Sequence, residues 1–202
     1  MHMERKFFIV AIVFVAVAGA ALSAAAQTFA PDAALVAKAN SGDAAALISL
    51  GEGFAAAAAS EHSSEQAGDE YKQAAEWYRK AAERGSIDGQ LHLAALYRDG
   101  GKGFARDMAQ AAECYRMAAD EGDVTALGAL GVLYSFGQGV QQNYVEAYFW
   151  LDLAASANDA NHDKYAANRQ MVGTHVTADE LEEVQDRVAR WKAAHQQIKI
   201  AK

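Results

Sequence analysis

At 202 residues the chain is long enough for one domain with a buried core. A single proline among very many alanines leaves few helix breakers and favours an all-α class. The net charge of −8 argues against phosphate-driven binding of nucleic acid and against docking on an anionic membrane surface.

The chain begins with a targeting pattern. Arg5 and Lys6 precede an apolar run from Phe7 to Leu22, and Ser23-Ala24-Ala25-Ala26 supplies small residues with Ala24 and Ala26 in the A-x-A positions. Residues 1–26 are therefore expected to be a signal peptide, cleaved between Ala26 and Gln27. The expected destination is the periplasm or the exterior, with no stable membrane insertion afterwards. The competing reading is an uncleaved anchor, because Phe7 to Ala26 approaches the length that spans a bilayer. Cleavage would remove Arg5, Lys6 and Glu4 and leave the chain one unit more acidic.

Residues 27–40 read as a short disordered leader followed by a capping helix over Ala33 to Asn40, started by Pro31 and Asp32. Self-similarity then dominates. Gly89-Gln90-Leu91-His92-Leu93-Ala94-Ala95-Leu96-Tyr97 returns as Ala126-Leu127-Gly128-Ala129-Leu130-Gly131-Val132-Leu133-Tyr134. Each is followed by a glycine-rich turn and a second helix ending in paired alanines, Ala118-Ala119 and Ala154-Ala155. A fixed period of this size marks a repeat architecture. An earlier copy ends in Ala81-Ala82. The repeats thus divide as 41–84, 85–121 and 122–158. The first copy is longer, and its extra length falls in 55–69, which is read as a mobile loop with a helical extension through Ala55 to Ala59. Small residues at one point of each second helix let neighbouring helices pack closely, while Tyr78, Tyr97, Tyr115, Tyr134 and Trp150 fill the gaps between layers.

The remainder, 159–202, holds a helix over Ala160 to Met171 and a second helix opened by Thr177 and Glu180 at capping-box spacing. Leu181, Val184, Val188 and Trp191 form its apolar stripe, and Glu182, Glu183, Asp186, Arg187 and Arg190 form its polar face. Such a helix can close the end of a stack. The tail from Gln196 is expected to fray.

No fragment carries a catalytic signature. Gly100-Gly101-Lys102-Gly103 lacks the strand, spacing and hydroxyl residue of a phosphate loop. Asp159-Ala160-Asn161-His162-Asp163 starts like a calcium loop, but Lys164 and Gln170 stand where glycine and glutamate are needed. His62, His92, His162, His175 and His195 show no zinc spacing, and no G-x-S-x-G is present. A single cysteine, Cys114, excludes an intramolecular disulfide. It aligns with Trp77 and Trp150 and reads as a buried apolar position, with an intermolecular bridge open if it is exposed. No metal, cofactor or catalytic residue is expected.

The pattern A-x-x-x-L-G-x-x-Y, then G-x-G-V, then D/N-x-x-x-A-x-x-W/Y-x-x-x-A-A resembles the Sel1-like repeat, a tetratricopeptide-like α/α unit. The third copy matches through Ala126, Leu130, Gly131, Tyr134, Gly137, Gly139, Val140, Ala147, Trp150, Ala154 and Ala155. In the second copy Ala94 replaces the glycine and Lys102 lengthens the loop. In the first, Phe54 replaces the tyrosine. The resemblance implies a right-handed α/α solenoid with a C-terminal capping helix, whose first helices line a concave face. On that face Ser49, His92 and Ala129 align, as do Glu52, Ala95 and Val132 one turn on. These six residues are the candidate binding stripe for a partner protein or peptide. The family implies a non-enzymatic scaffold or adaptor in the cell envelope. A cysteine-rich branch is linked to β-lactams, which leaves an envelope enzyme or β-lactam-interacting protein as the alternative, although this chain lacks that branch's cysteine pairs. An acidic envelope structural protein without a specific ligand is a third reading.

Overall fold

The computed structural model describes residues 29–157 and 159–201. The expected signal peptide and its cleavage point lie outside the described residues. Among these there are nine helices: α1 Ala33–Asn40, α2 Ala44–Ser60, α3 Ser64–Ala82, α4 Ile87–Asp99, α5 Met108–Asp120, α6 Val124–Phe136, α7 Tyr144–Ala155, α8 His162–Gly173 and α9 Ala178–Ala201. The pairs α2/α3, α4/α5 and α6/α7 form helical hairpins. Each second helix also packs on the next first helix, and α8 continues that order against α7. The fold is an all-α repeat stack.

Local chemistry sets the helix starts. Asp43, Ser63, Ser86, Asp107, Asp123 and Asn143 are N-caps whose side chains accept from backbone N–H groups of the first turn. This satisfies donors that have no partner within the helix. At α9 the capping box closes both ways: Thr177 N–H donates to Glu180 Oε2 at 2.8 Å, and Glu180 N–H donates to Thr177 Oγ1 at 3.3 Å. These bonds to Thr177 hold the Glu180 carboxyl below its ordinary pKa.

The core runs along the hairpin seams. Ala74, Ala81, Ala111, Ala118, Ala119, Ala126, Ala147 and Ala154 are each 0% exposed. With no side chain beyond Cβ, they allow helix axes to approach closely. A smaller cluster at the N-terminal end joins Ala39 of α1 to Leu47 and Leu50 of α2. Phe29 belongs to it, standing edge-on to Phe54 at 5.0 Å and filling the space where a side chain on Gly53 would be. The chain ahead of α1, expected to be disordered, is therefore pinned at Phe29.

Two further expectations are corrected. Residues 55–69 are not a mobile loop. Helix α2 continues through the alanine run to Ser60, and α3 starts four residues later at Ser64, leaving a three-residue corner. The turn of the next repeat docks on this corner: Lys102 Nζ donates to the carbonyls of Glu61 and His62, both at 3.3 Å. Helix propensity and a serine cap outweigh the polar composition here. Arg187, assigned to the solvated face of α9, turns inward instead. Its Nη2 lies 2.7 Å from Glu146 Oε1, and its guanidinium sits 4.4 Å from the Phe149 ring centroid. Helix α9 lies on α7 through buried Val184 and Val188. It then reaches back to the α5–α6 turn, where His195 Nε2 is 2.8 Å from the Asp120 carbonyl oxygen. The helix extends to Ala201, past Gln196.

Two turn glycines are structurally demanding. Gly103 and Gly139 have φ of +73° and +71°. A Cβ on Gly103 would lie 1.8 Å from Ser64 O, and one on Gly139 would lie 2.0 Å from Met108 O. Each turn thus presses on the start of the preceding repeat's second helix. Replacing Gly139 with alanine combines left-handed strain with a backbone clash. Gly139→Ala should lower unfolding free energy by about 2–4 kcal/mol in denaturant titration.

Candidate functional site

One register bond recurs at each junction and fixes how successive hairpins face each other. Arg79 Nη2 donates to the Tyr97 hydroxyl at 2.9 Å, and the Arg116 guanidinium donates to the Tyr134 hydroxyl. Partner follows donor by 18 residues in both cases. At the third junction the polarity reverses: Arg169 Nη1 donates to Asp152 Oδ1 at 2.6 Å, 17 residues apart. Asp152 occupies the arginine's place in its repeat, and Arg169 occupies the tyrosine's. Helix α8 is thereby placed as a fourth first helix.

A groove of about 510 Å³ opens between α4, α6 and α8. Its floor is Gly128, Ala129, Val132 and Leu133 of α6. Gly128 cannot carry a larger side chain here, because a Cβ would lie 2.1 Å from the Tyr165 ring. Tyr115 and Tyr165 form aromatic walls. Burial pushes both phenols above their ordinary pKa, and for Tyr165 the charges of Asp159 and Asp123 add to the effect. The rim is polar. Arg98 lies against Asp99, with Nε–Oδ1 at 2.7 Å and Nη2–Oδ2 at 2.8 Å, and its Nη1 donates to the Tyr115 hydroxyl at 2.9 Å. This pairing holds the Asp99 carboxyl below its usual pKa and raises that of Arg98. Arg106, from the α4–α5 turn, and Lys164, from α8, complete the charged rim.

The six stripe residues separate into two places. Ala129 and Val132 are in the groove floor. Glu52 and His92 meet farther toward the N-terminal end, with Oε1 and Nε2 3.7 Å apart. His92 also stacks on Tyr78 at 5.0 Å and 11°. Burial, with a contribution from the Glu52 charge, pushes the Tyr78 phenol up to about 12. Ala95 is half-buried and Ser49 exposed, and neither lines the groove. Arg98, Arg106, Tyr165 and Lys164 were not singled out by the sequence. The arginine–tyrosine spacing of 18 residues does not extend to α8, where Gln170 stands 18 residues after Asp152, so no local pattern placed α8 beside α6.

The Sel1 repeat profile matches residues 64–86, 87–123 and 124–159. Solved structures that resemble the chain include the following two. One is a protective antigen present in uropathogenic Escherichia coli strains that displays an SLR fold. It has a TM-score of 0.63 and 30% identity, over 83% of this chain and 35% of that one. The other is a Sel1 repeat protein from Oxalobacter formigenes, with a TM-score of 0.52 and 29% identity over 64% of this chain and 49% of that one. The chain therefore spans about a third and about half of the lengths of these two proteins. No curated protein sequence matches it. The chain carries three Sel1 repeats and shares the fold of solved Sel1 repeat proteins. The profile's first match starts with α3, because the lengthened α2 and its corner depart from the repeat pattern.

The reactive groups are sparse. Among the described residues no group of three or more His, Cys, Asp or Glu side chains could hold a metal ion. Cys114 is 3% exposed, and its thiol is pushed up to about 11, chiefly by burial. Only the thiolate is nucleophilic. The raised pKa means that the neutral thiol favours the folded state. That contribution is fully present below the ordinary thiol pKa and is lost as pH rises through about 11. Cys114 should therefore resist a maleimide at pH 8 in the native protein and react fully after denaturation, as read by mass spectrometry.

Proposed function

We propose that the chain is a non-enzymatic interaction module of the cell envelope that holds a segment of a partner protein in the groove between α4, α6 and α8. The observation that carries this reading is the groove itself. An apolar floor of small residues lies between aromatic walls and a polar rim, the composition that suits a docked peptide. Sel1 repeat proteins generally mediate protein–protein interaction, which supports the same class of activity. The basic start, apolar run and A-x-A ending of residues 1–26 support export. Among the described residues no helix is long and apolar enough to cross a membrane.

The groove lies toward the C-terminal half of the expected stripe, so Ala129 and Val132 carry binding, whereas Ser49, Glu52, His92 and Ala95 belong to an adjoining surface. A photo-crosslinking amino acid placed at Ala129 in the exporting cell should yield a discrete protein adduct. The same group at exposed Glu113 on α5 should not. Adducts of equal yield at both positions, or only at Glu113, would refute the groove as the docking site. In the same cells the amino terminus of the exported protein should be Gln27.

A further inference from the structure

We infer that the groove selects an acidic partner segment, one that lays an apolar side chain on the α6 floor and places carboxylates against Arg106 and Lys164. This rests on the proposed docking reading and narrows it to a class of partner. The whole chain carries 26 acidic residues against 18 basic ones. Around the groove that balance inverts. Its lining holds Arg98, Arg106 and Lys164 and a single carboxylate, Asp99. Arg98 and Asp99 neutralise each other through two short contacts. Arg106 also acts on Asp99, helping to hold that carboxyl low, and Lys164 is the third cation, so the lining keeps an excess of two positive charges. The side chains of Arg106 and Lys164 are exposed, and among the described residues neither makes a salt bridge. Arg106 spends one N–H on the Met108 sulfur at 3.3 Å, a weak acceptor that leaves its other donors available. Asp123 and Asp159, close enough to raise the Tyr165 phenol, do not line the groove.

The two exposed cations come from different elements, Arg106 from the α4–α5 turn and Lys164 from α8, with the apolar floor of α6 contributing to the same groove. A segment crossing the floor meets positive charge from both. In a chain whose net charge is negative, an excess of basic groups at the groove favours acidic segments there and disfavours basic ones. Such an arrangement gives selectivity by repulsion as well as by attraction.

Selection of a random-peptide display library on the full chain tests this directly, with the Arg106→Glu/Lys164→Glu double variant for counter-selection. Enriched peptides should carry Asp or Glu next to Leu, Ile or Phe. In fluorescence polarisation their affinity should fall about tenfold in the double variant and should weaken as salt rises. Circular dichroism controls for folding, and an Arg106→Gln/Lys164→Gln variant should give an intermediate loss. Enrichment of peptides without acidic residues, or acidic peptides that bind the double variant as tightly as the parent, overturns the inference. Ala129→Trp separates this from failure of the docking reading. If selected peptides of any charge lose affinity when the floor is filled, the groove is still the site. If they bind Ala129→Trp undiminished, the groove reading falls with the acidic one.

Discussion

Everything in this molecule depends on how closely the helices approach. Ala81, Ala118, Ala119 and Ala154 are 0% exposed, and Ala82 and Ala155 nearly so. The space above Gly131 is occupied by Leu151 and the Ala147 carbonyl, and that above Gly51 by the Tyr78 ring. Inserting larger side chains into such seams costs about 1–3 kcal/mol each through displaced backbone. In a stack where each hairpin touches chiefly its neighbours, a displaced seam is passed on to every later repeat. The small residues are thus geometric specifications for the whole stack.

Close packing alone leaves rotation between hairpins undetermined, and the register bonds remove that freedom. Arg79 to Tyr97 and Arg116 to Tyr134 tie each second helix to the following first helix at one angular setting. The Arg169–Asp152 pair does the same for α8 with reversed charges. It holds α8 where Lys164 and Tyr165 line the groove, with Tyr165 one turn before Arg169 on the helix. Helix α9, held on α7 by Val184, Val188 and the Arg187–Glu146 pair, leaves this face open.

Much of the scaffold was legible in the chain itself. The period between Gly85 and Gly122, the paired alanines and the capping residues are local signals that report local geometry. The capping box at Thr177 and Glu180 needed only spacing to read. What failed to show had a different physical origin. The corner at residues 61–63 looked like a loop because its composition is polar, yet its order comes from Lys102, some forty residues away. Phe29 looked like part of a leader because its partner, Phe54, lies beyond α1. Arg187 fitted a solvated face until α7 supplied Glu146 and Phe149. The groove was half visible. Periodicity predicts which residues share a stripe on one helix, as with Ala129 and Val132, but cannot assemble walls from α4, a turn, α5 and α8. Residues repeated between copies explain the scaffold. The site is built where copies differ, at Arg106, Gly128 and Lys164.

The central claim is that binding occurs on the face of the first helices, in the groove over α6. Hydrogen–deuterium exchange of the full chain, measured with and without a saturating library-selected peptide, addresses it most directly. The account predicts added protection confined to the end of α4 with its following turn, to α6 and to the start of α8, while the outer surfaces of α5 and α9 stay unchanged. Protection centred on α9 or on the second helices, with α6 unaffected, would contradict it.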